Sequence, residues 1–167
     1  MGKALERVRV VSRPRLRFLV LRVFDGELVI GRTSVLVRNG KIEGVDPRLR
    51  PSKGIRVVAG NGHTLLPGLI DAHTHIRSGR DLEQLLVFGV TTDLSKLMDL
   101  KLAVEEKKEQ RANKANNRAD LFSSGYSATA PGGHGTEYGM TFPTLMGPQE
   151  AQAWVDDRIA EGPTTSK

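Results

Sequence analysis

The sequence predicts an α/β protein: a small β module, then strands that alternate with helices. Three observations predict it. Asn39-Gly40 sits between the alternating residues Val35 and Val37 and the resuming Ile42. Asn-Gly accepts positive φ at both central positions of a tight hairpin turn, so this stretch reads as two paired strands. Next, "LLPGLIDAHTHI" (Leu65 to Ile76) carries an apolar run immediately after a Pro-Gly break. Finally, Leu82, Leu85 and Leu86 recur at helical spacing, with Gly89 where a helix-ending glycine belongs.

The elements follow in order. "FLVLRVFDGE" is a strand ending in the Asp25-Gly26 turn, and "SVLVRNGKIEGV" is the second hairpin. "IRVVAG" and "HTLLPG" add two short strand-like pieces, which completes a β module over 18–66. "LIDAH" opens the second part as a short apolar strand, and "RDLEQLLVFG" is its helix. "VTT" is a β-branched strand. "KLMDLKLAVEEKKEQRAN" is a helix with Leu97, Leu100 and Val104 on one stripe and Glu105 to Glu109 as a solvated face. "ADLFSS" is a third strand, and a loop rich in glycine (Gly125, Gly132, Gly133, Gly135, Gly139) follows. A last helix starts near Pro148, buries Ala151, Trp154, Val155 and Ile159, and stops at Gly162-Pro163. Strands alternating with helices imply a parallel sheet.

Composition narrows the function classes. The 167 residues are 38% hydrophobic, enough for a core. There is no cysteine, which excludes disulfides and thiolate metal sites. The net charge of +6 is concentrated at the start, where Lys3, Arg7, Arg9, Arg13, Arg15, Arg17 and Arg22 face the single acid Glu6. Residues 1–17 read as a solvated basic arm. Nucleic-acid binding is disfavoured because no aromatic is interleaved before Phe18 and no nucleic-acid motif follows. No run approaches the ~20 apolar residues of a membrane span. The expected location is cytoplasmic, with no membrane partner.

Strand side chains alternate between faces, so Asp71, His73 and His75 are expected on one face. Two imidazoles at i and i+2 can reach one divalent ion from the C-terminal tip of a strand, where parallel α/β folds build their sites. The spacing by itself leaves a second reading open, in which both histidines are ordinary surface or core residues.

"LLPGLIDAHTH", preceded by hairpins of the "VRNGKIEGV" type, resembles the N-terminal portion of the metal-dependent amidohydrolase superfamily. "GVTT" resembles the entry to that family's second barrel strand. "ATAPGGHGTEYGM" and "PQEAQAWVDDRIAEG" are similar to its imidazolonepropionase and dipeptidase-like branch. The resemblance implies a β-sandwich-like module followed by the first part of a (β/α)₈ barrel over 67–167. It implies hydrolysis of carbon–nitrogen bonds outside polypeptide chains, or of dipeptide-like bonds, with a divalent metal, zinc above others. His73 and His75 would be metal ligands, with Asp71 supporting them from beneath. His134 and Tyr138 would contact a small amide or dipeptide-like substrate from the glycine-rich loop.

The chain also departs from that family. A full barrel takes about 250 residues, whereas about 100 follow Pro67. Besides the pair, only His63 and His134 are available as histidines, and no residue matches the family's late proton-accepting aspartate. Lys167 falls near the position of the branch's carboxylated lysine, but Pro163-Thr164-Thr165-Ser166 is not an apolar strand. The expectation is therefore a truncated amidohydrolase, inactive alone, that needs a complementing chain or a homo-oligomer to regain function. The alternative is a non-enzymatic remnant that acts as a binding or assembly module. Trp154 is expected in the core.

Overall fold

The computed structural model describes residues 16–50, 53–112, 114–139 and 141–162, with backbone alone for 16–20. The basic arm read at 1–17 thus lies almost wholly outside the described residues, as do Pro163 and Lys167. The chain divides between Gly68 and Leu69 into two compact units.

The first unit is a mixed five-stranded sheet. Strand β1 (Leu16–Phe24) lies at its centre, antiparallel to β2 (Val29–Arg38), which pairs in turn with β3 (Lys41–Val45). Strands β4 (Arg56–Ala59) and β5 (Thr64–Leu65) both pair in parallel with β1. The Asn-Gly turn forms as the sequence predicts, with φ of 54° at Asn39 and 76° at Gly40. The β1–β2 turn is closed by Asp25, whose Oδ1 accepts from the amides of Glu27 at 2.9 Å and Leu28 at 2.8 Å. Leu21, Val23, Val35 and Val37 are the buried stripe, flanked by Ile42, Val45, Val58 and Leu65. Alternation thus sets the apolar side of β1 and β2, although Thr33 and Ser34 are buried as well. Among the described residues this unit holds one sheet layer.

The second unit alternates as predicted. Strands β6 (Leu69–Thr74), β7 (Val90–Ser95) and β8 (Asp120–Ser123) form a parallel sheet in sequence order. Helix α1 (Gly79–Val87) links β6 to β7, and α2 (Leu100–Arg111) links β7 to β8. Helix α1 starts because Asp81 Oδ2 accepts from the amides of Arg77 and Ser78, at 2.8 and 2.9 Å. Those donors hold the Asp81 carboxyl below its ordinary range, the Arg77 amide first. Leu82 is 1% exposed and anchors a core with Ile76, Met98, Ala103, Ala119 and Leu121. Burial of one such leucine stabilises by roughly 1.5–3 kcal/mol. No described helix is long and apolar enough to cross a membrane.

Two expectations are overturned here. Helix α2 starts at Leu100 and buries only part of the stripe that its spacing suggests: Leu97, just before it, is buried and Leu100 half-buried, but Val104 is exposed, and the buried residues of the helix are Ala103, Glu106 and Lys107. Glu106 accepts from Arg118 Nη1 on both oxygens, at 2.8 and 2.7 Å, and Arg118 Nη2 reaches Glu109 at 2.9 Å. Lys107 Nζ donates to the Leu121 carbonyl at 2.6 Å and sits 4.2 Å from the centroid of the Phe122 ring. Burial lowers the Lys107 pKa. The charges face inward because the segment leading into β8 brings its own partners to them. Gly79 belongs to this cluster too, since a Cβ there would come within 2.7 Å of Glu106 Oε1 and 2.8 Å of Arg118 Nη1.

The last helix, α3 (Ala151–Ala160), differs in the same way. Val155 and Ile159 are exposed, and Arg158 is the buried residue. Arg158 is held by Glu161, at 2.7 Å through Nε, and lies over the Trp154 ring at 4.8 Å. Trp154 is half-buried, and its Nε1 donates to the Pro143 carbonyl at 3.3 Å.

Candidate metal centre

Parallel pairing delivers β6 with its C-terminal end at Thr74, so His73 is the strand's penultimate residue and His75 lies one past its end. The two rings meet edge to face, with centroids 5.6 Å apart and planes at 77°. Both side chains are exposed. The ladder with β7 is not regular here, and its register shifts between Asp71 and Thr74. Asp71 turns to its own strand and accepts from the His73 amide at 3.2 Å.

Neighbouring β7 holds the residues around the pair. The Thr74 hydroxyl donates to both carboxylate oxygens of Asp93, at 2.8 and 2.9 Å. The Ile76 amide donates to Ser95 Oγ at 3.2 Å, and the Lys96 amide donates to the Thr74 carbonyl at 2.9 Å. His75 Nδ1 faces the Leu97 carbonyl at 3.4 Å. A carbonyl only accepts, so in the neutral tautomer with the proton on Nδ1 this contact is a hydrogen bond and Nε2 keeps its lone pair for a ligand. Asp93 is fully buried, and burial raises its pKa, opposed by the Thr74 hydroxyl and assisted by nearby Asp71.

His134 and Tyr138 also come together, with ring centroids 5.7 Å apart. Their loop is knotted by Glu137, which accepts from His134 Nδ1 at 3.1 Å and from the Gly135 amide at 2.5 Å. Backbone donors, its own amide first, hold the Glu137 carboxyl below its ordinary range, and His134 adds to this. Leu97 connects the two histidine sites. Its carbonyl faces His75, and its Cδ2 lies 3.6 Å from where a Gly135 Cβ would be. His63 lies in the other unit, with Nδ1 on the Gly60 carbonyl at 2.8 Å.

The donor chemistry of the pair fits two ligands of a divalent ion, since one imidazole nitrogen is freed by the bond its partner nitrogen makes. Among the described residues no group of three histidine or carboxylate donors comes together. A catalytic zinc site takes three protein ligands and a water. A concavity of about 670 Å³ along α2 contains none of the candidate residues. Sequence reading missed Asp93, Ser95 and the Leu97 carbonyl. They follow a legible β-branched strand, but only the strand register shows that they face Thr74 to Ile76.

No family model matches the chain. A dihydropyrimidinase of Dictyostelium discoideum is 44% identical over 46 residues, which are 28% of this chain and 9% of that protein. A Bifidobacterium longum protein assigned as a prolidase superposes on 90% of this chain with a TM-score of 0.75 and 22% identity. The likeness covers 39% of that protein. A Xaa-Pro dipeptidase structure superposes on 89% with a TM-score of 0.67 and 20% identity, over 45% of its own length. The fold is that of part of these prolidase and dipeptidase structures. By this likeness of fold, the β module and the three parallel strands are consistent with a module followed by part of a barrel. The chain spans less than half of each of these relatives.

Proposed function

We propose that this chain is the metal-anchoring part of a metal-dependent amidohydrolase acting on small amides or dipeptide-like compounds. The observation that carries this reading is the edge-to-face pair His73 and His75 at a parallel strand's C-terminal end, with His75 Nδ1 occupied by a carbonyl. His73 and His75 hold the ion, zinc above other divalent metals. A bound zinc ion lowers the pKa of water toward neutrality and polarises a carbonyl. His134 and Tyr138 bind substrate from the loop that reaches Leu97. Two imidazoles do not complete a catalytic zinc site, so the 167-residue chain alone is inactive, and activity requires donors supplied by additional chain.

Zinc titration of the purified chain, read by competition with a chromogenic chelator, tests the anchor. One zinc per chain is expected, lost in His75→Ala and in His73→Ala. Equal zinc binding by parent and both variants overturns the assignment. Robust hydrolysis of dipeptides or cyclic amides by the purified monomer overturns the claim of inactivity.

A second reading, a non-enzymatic assembly module, is favoured by one feature. Among the described residues β6 pairs on one side only, and Leu69 and Ile70 on it are 55% and 65% exposed. Size measurement in solution discriminates: a metal-free oligomer supports this reading, and a zinc-binding monomer supports the first.

A further inference from the structure

We infer that Thr74 is a positioning residue for the histidine pair, and that β7 is the template that sets it. The inference rests on the reading that His73 and His75 hold a divalent cation. Thr74 stands between the two ligands, so its backbone angles decide how their side chains are directed relative to one another. The ladder is irregular just before it, where the register shifts between Asp71 and Thr74, and resumes at Thr74, which pairs with Ser95 and accepts from the Lys96 amide at 2.9 Å. Side-chain bonds add to it. The Thr74 hydroxyl is bound by both oxygens of Asp93, at 2.8 and 2.9 Å, and the Ile76 amide by Ser95 Oγ at 3.2 Å. The acceptors are rigid: Asp93 is 0% and Ser95 1% exposed. One further contact reaches a ligand itself, His75 Nδ1 to the Leu97 carbonyl. Thus residues 74, 75 and 76 are each bonded to β7 or to the two residues after it.

Such a device acts on affinity and ring orientation rather than on fold. Losing a partner that orients a ligand typically costs 10- to 100-fold in metal affinity. Thr74→Val keeps the β-branched shape and removes the hydroxyl, whereas Thr74→Ser keeps the hydroxyl. Zinc affinity is measured by chelator competition on the purified chain. Ring-nitrogen protonation is read on the metal-free chain by long-range ¹H–¹⁵N correlation. Thr74→Val is expected to bind zinc about tenfold more weakly and Thr74→Ser within about twofold of the parent. The His75 Nδ1–H form of the parent is expected to average between tautomers in Thr74→Val. Equal affinities and unchanged ring spectra overturn the proposal. If the parent binds no zinc, the metal reading falls and the ring spectra alone decide the positioning role. Should Thr74→Val not fold, Ser95→Ala removes the second clamp with less change in volume. It is expected to weaken zinc binding in the same direction, and an unchanged affinity overturns the proposal.

Discussion

The two histidine sites of the second unit are built in opposite ways. His73 and His75 sit at the end of a strand, just before Ile76, which is 4% exposed in the core, and the bonds of residues 74 to 76 reach partners 19 to 22 residues away. His134 is held by Glu137, three residues on, and Glu137 by the Gly135 amide two residues back. The first site is fixed by tertiary structure, the second by its own loop. Rigid scaffolds carry groups whose geometry must be exact, and loops carry groups that adapt to a substrate. The contrast matches the proposed roles of metal anchor and substrate contact.

The strongest way to break this contrast is to loosen the core beneath the strand site. Leu82, in the same core as Ile76, is 1% exposed. Leu82→Ala is expected to destabilise by about 3 kcal/mol, through lost burial and the cavity left behind. Chemical denaturation followed by circular dichroism reads the loss. Hydrogen exchange at the Thr74 and Ile76 amides should quicken in step, while exchange in the His134 loop should change little. Equal acceleration at both sites would mean that the loop shares the strand's support.

A smaller effect sharpens the comparison through pH. Burial is the leading cause that raises the Asp93 pKa above its ordinary value of 3.8. The folded state therefore holds this proton more tightly than the unfolded state. The contribution of Asp93 to stability is most favourable below pH 3.8. It falls as pH rises from there to the raised folded value, and it is flat above that. Asp71 contributes to the shift, so the comparison of variant with parent is the informative quantity. Asp93→Asn keeps an oxygen for the Thr74 hydroxyl and removes the charge. Its stability relative to the parent is expected to improve as pH rises from 3.5 to 7, measured by urea denaturation at each pH. A difference independent of pH would show that Asp93 ionises without penalty.

How far the sequence reaches follows the same division. Features set by neighbouring residues can be read directly. The Asn39-Gly40 turn, the leucines of α1, the Pro-Gly entry to β6 and the spacing that brings His73 and His75 together are all local patterns. What depends on distant chain cannot be read so. Glu106 and Lys107 look like a solvated charged run until Arg118, the Leu121 carbonyl and the Phe122 ring are brought to them. Val155 and Ile159 have the spacing of a core stripe, yet they are exposed and Arg158 is buried in their place. Thr74 carries no sequence signal at all. Its role emerges only once parallel pairing places β7 beside it, and a register shift defeats simple alternation at that point.

The smallest expected effect lies in the loop. Glu137 ties His134 and the Gly135 amide together, but it is itself exposed, with 51% of its side chain open to water. An exposed pair of this kind contributes little to stability, because water screens the charges and long side chains lose freedom on pairing. Glu137→Gln keeps the shape and one acceptor for the Gly135 amide. It is expected to leave the melting temperature within experimental error and to leave zinc binding by the strand pair unchanged. What should move is the Gly135 amide proton, whose bond to Glu137 weakens when a neutral amide oxygen replaces the carboxylate. The chemical shift of that proton, read by NMR, measures this directly. If the variant instead weakened zinc binding, the loop would be part of the metal anchor, and the separation between a rigid ligand pair and an adaptable substrate loop would fail.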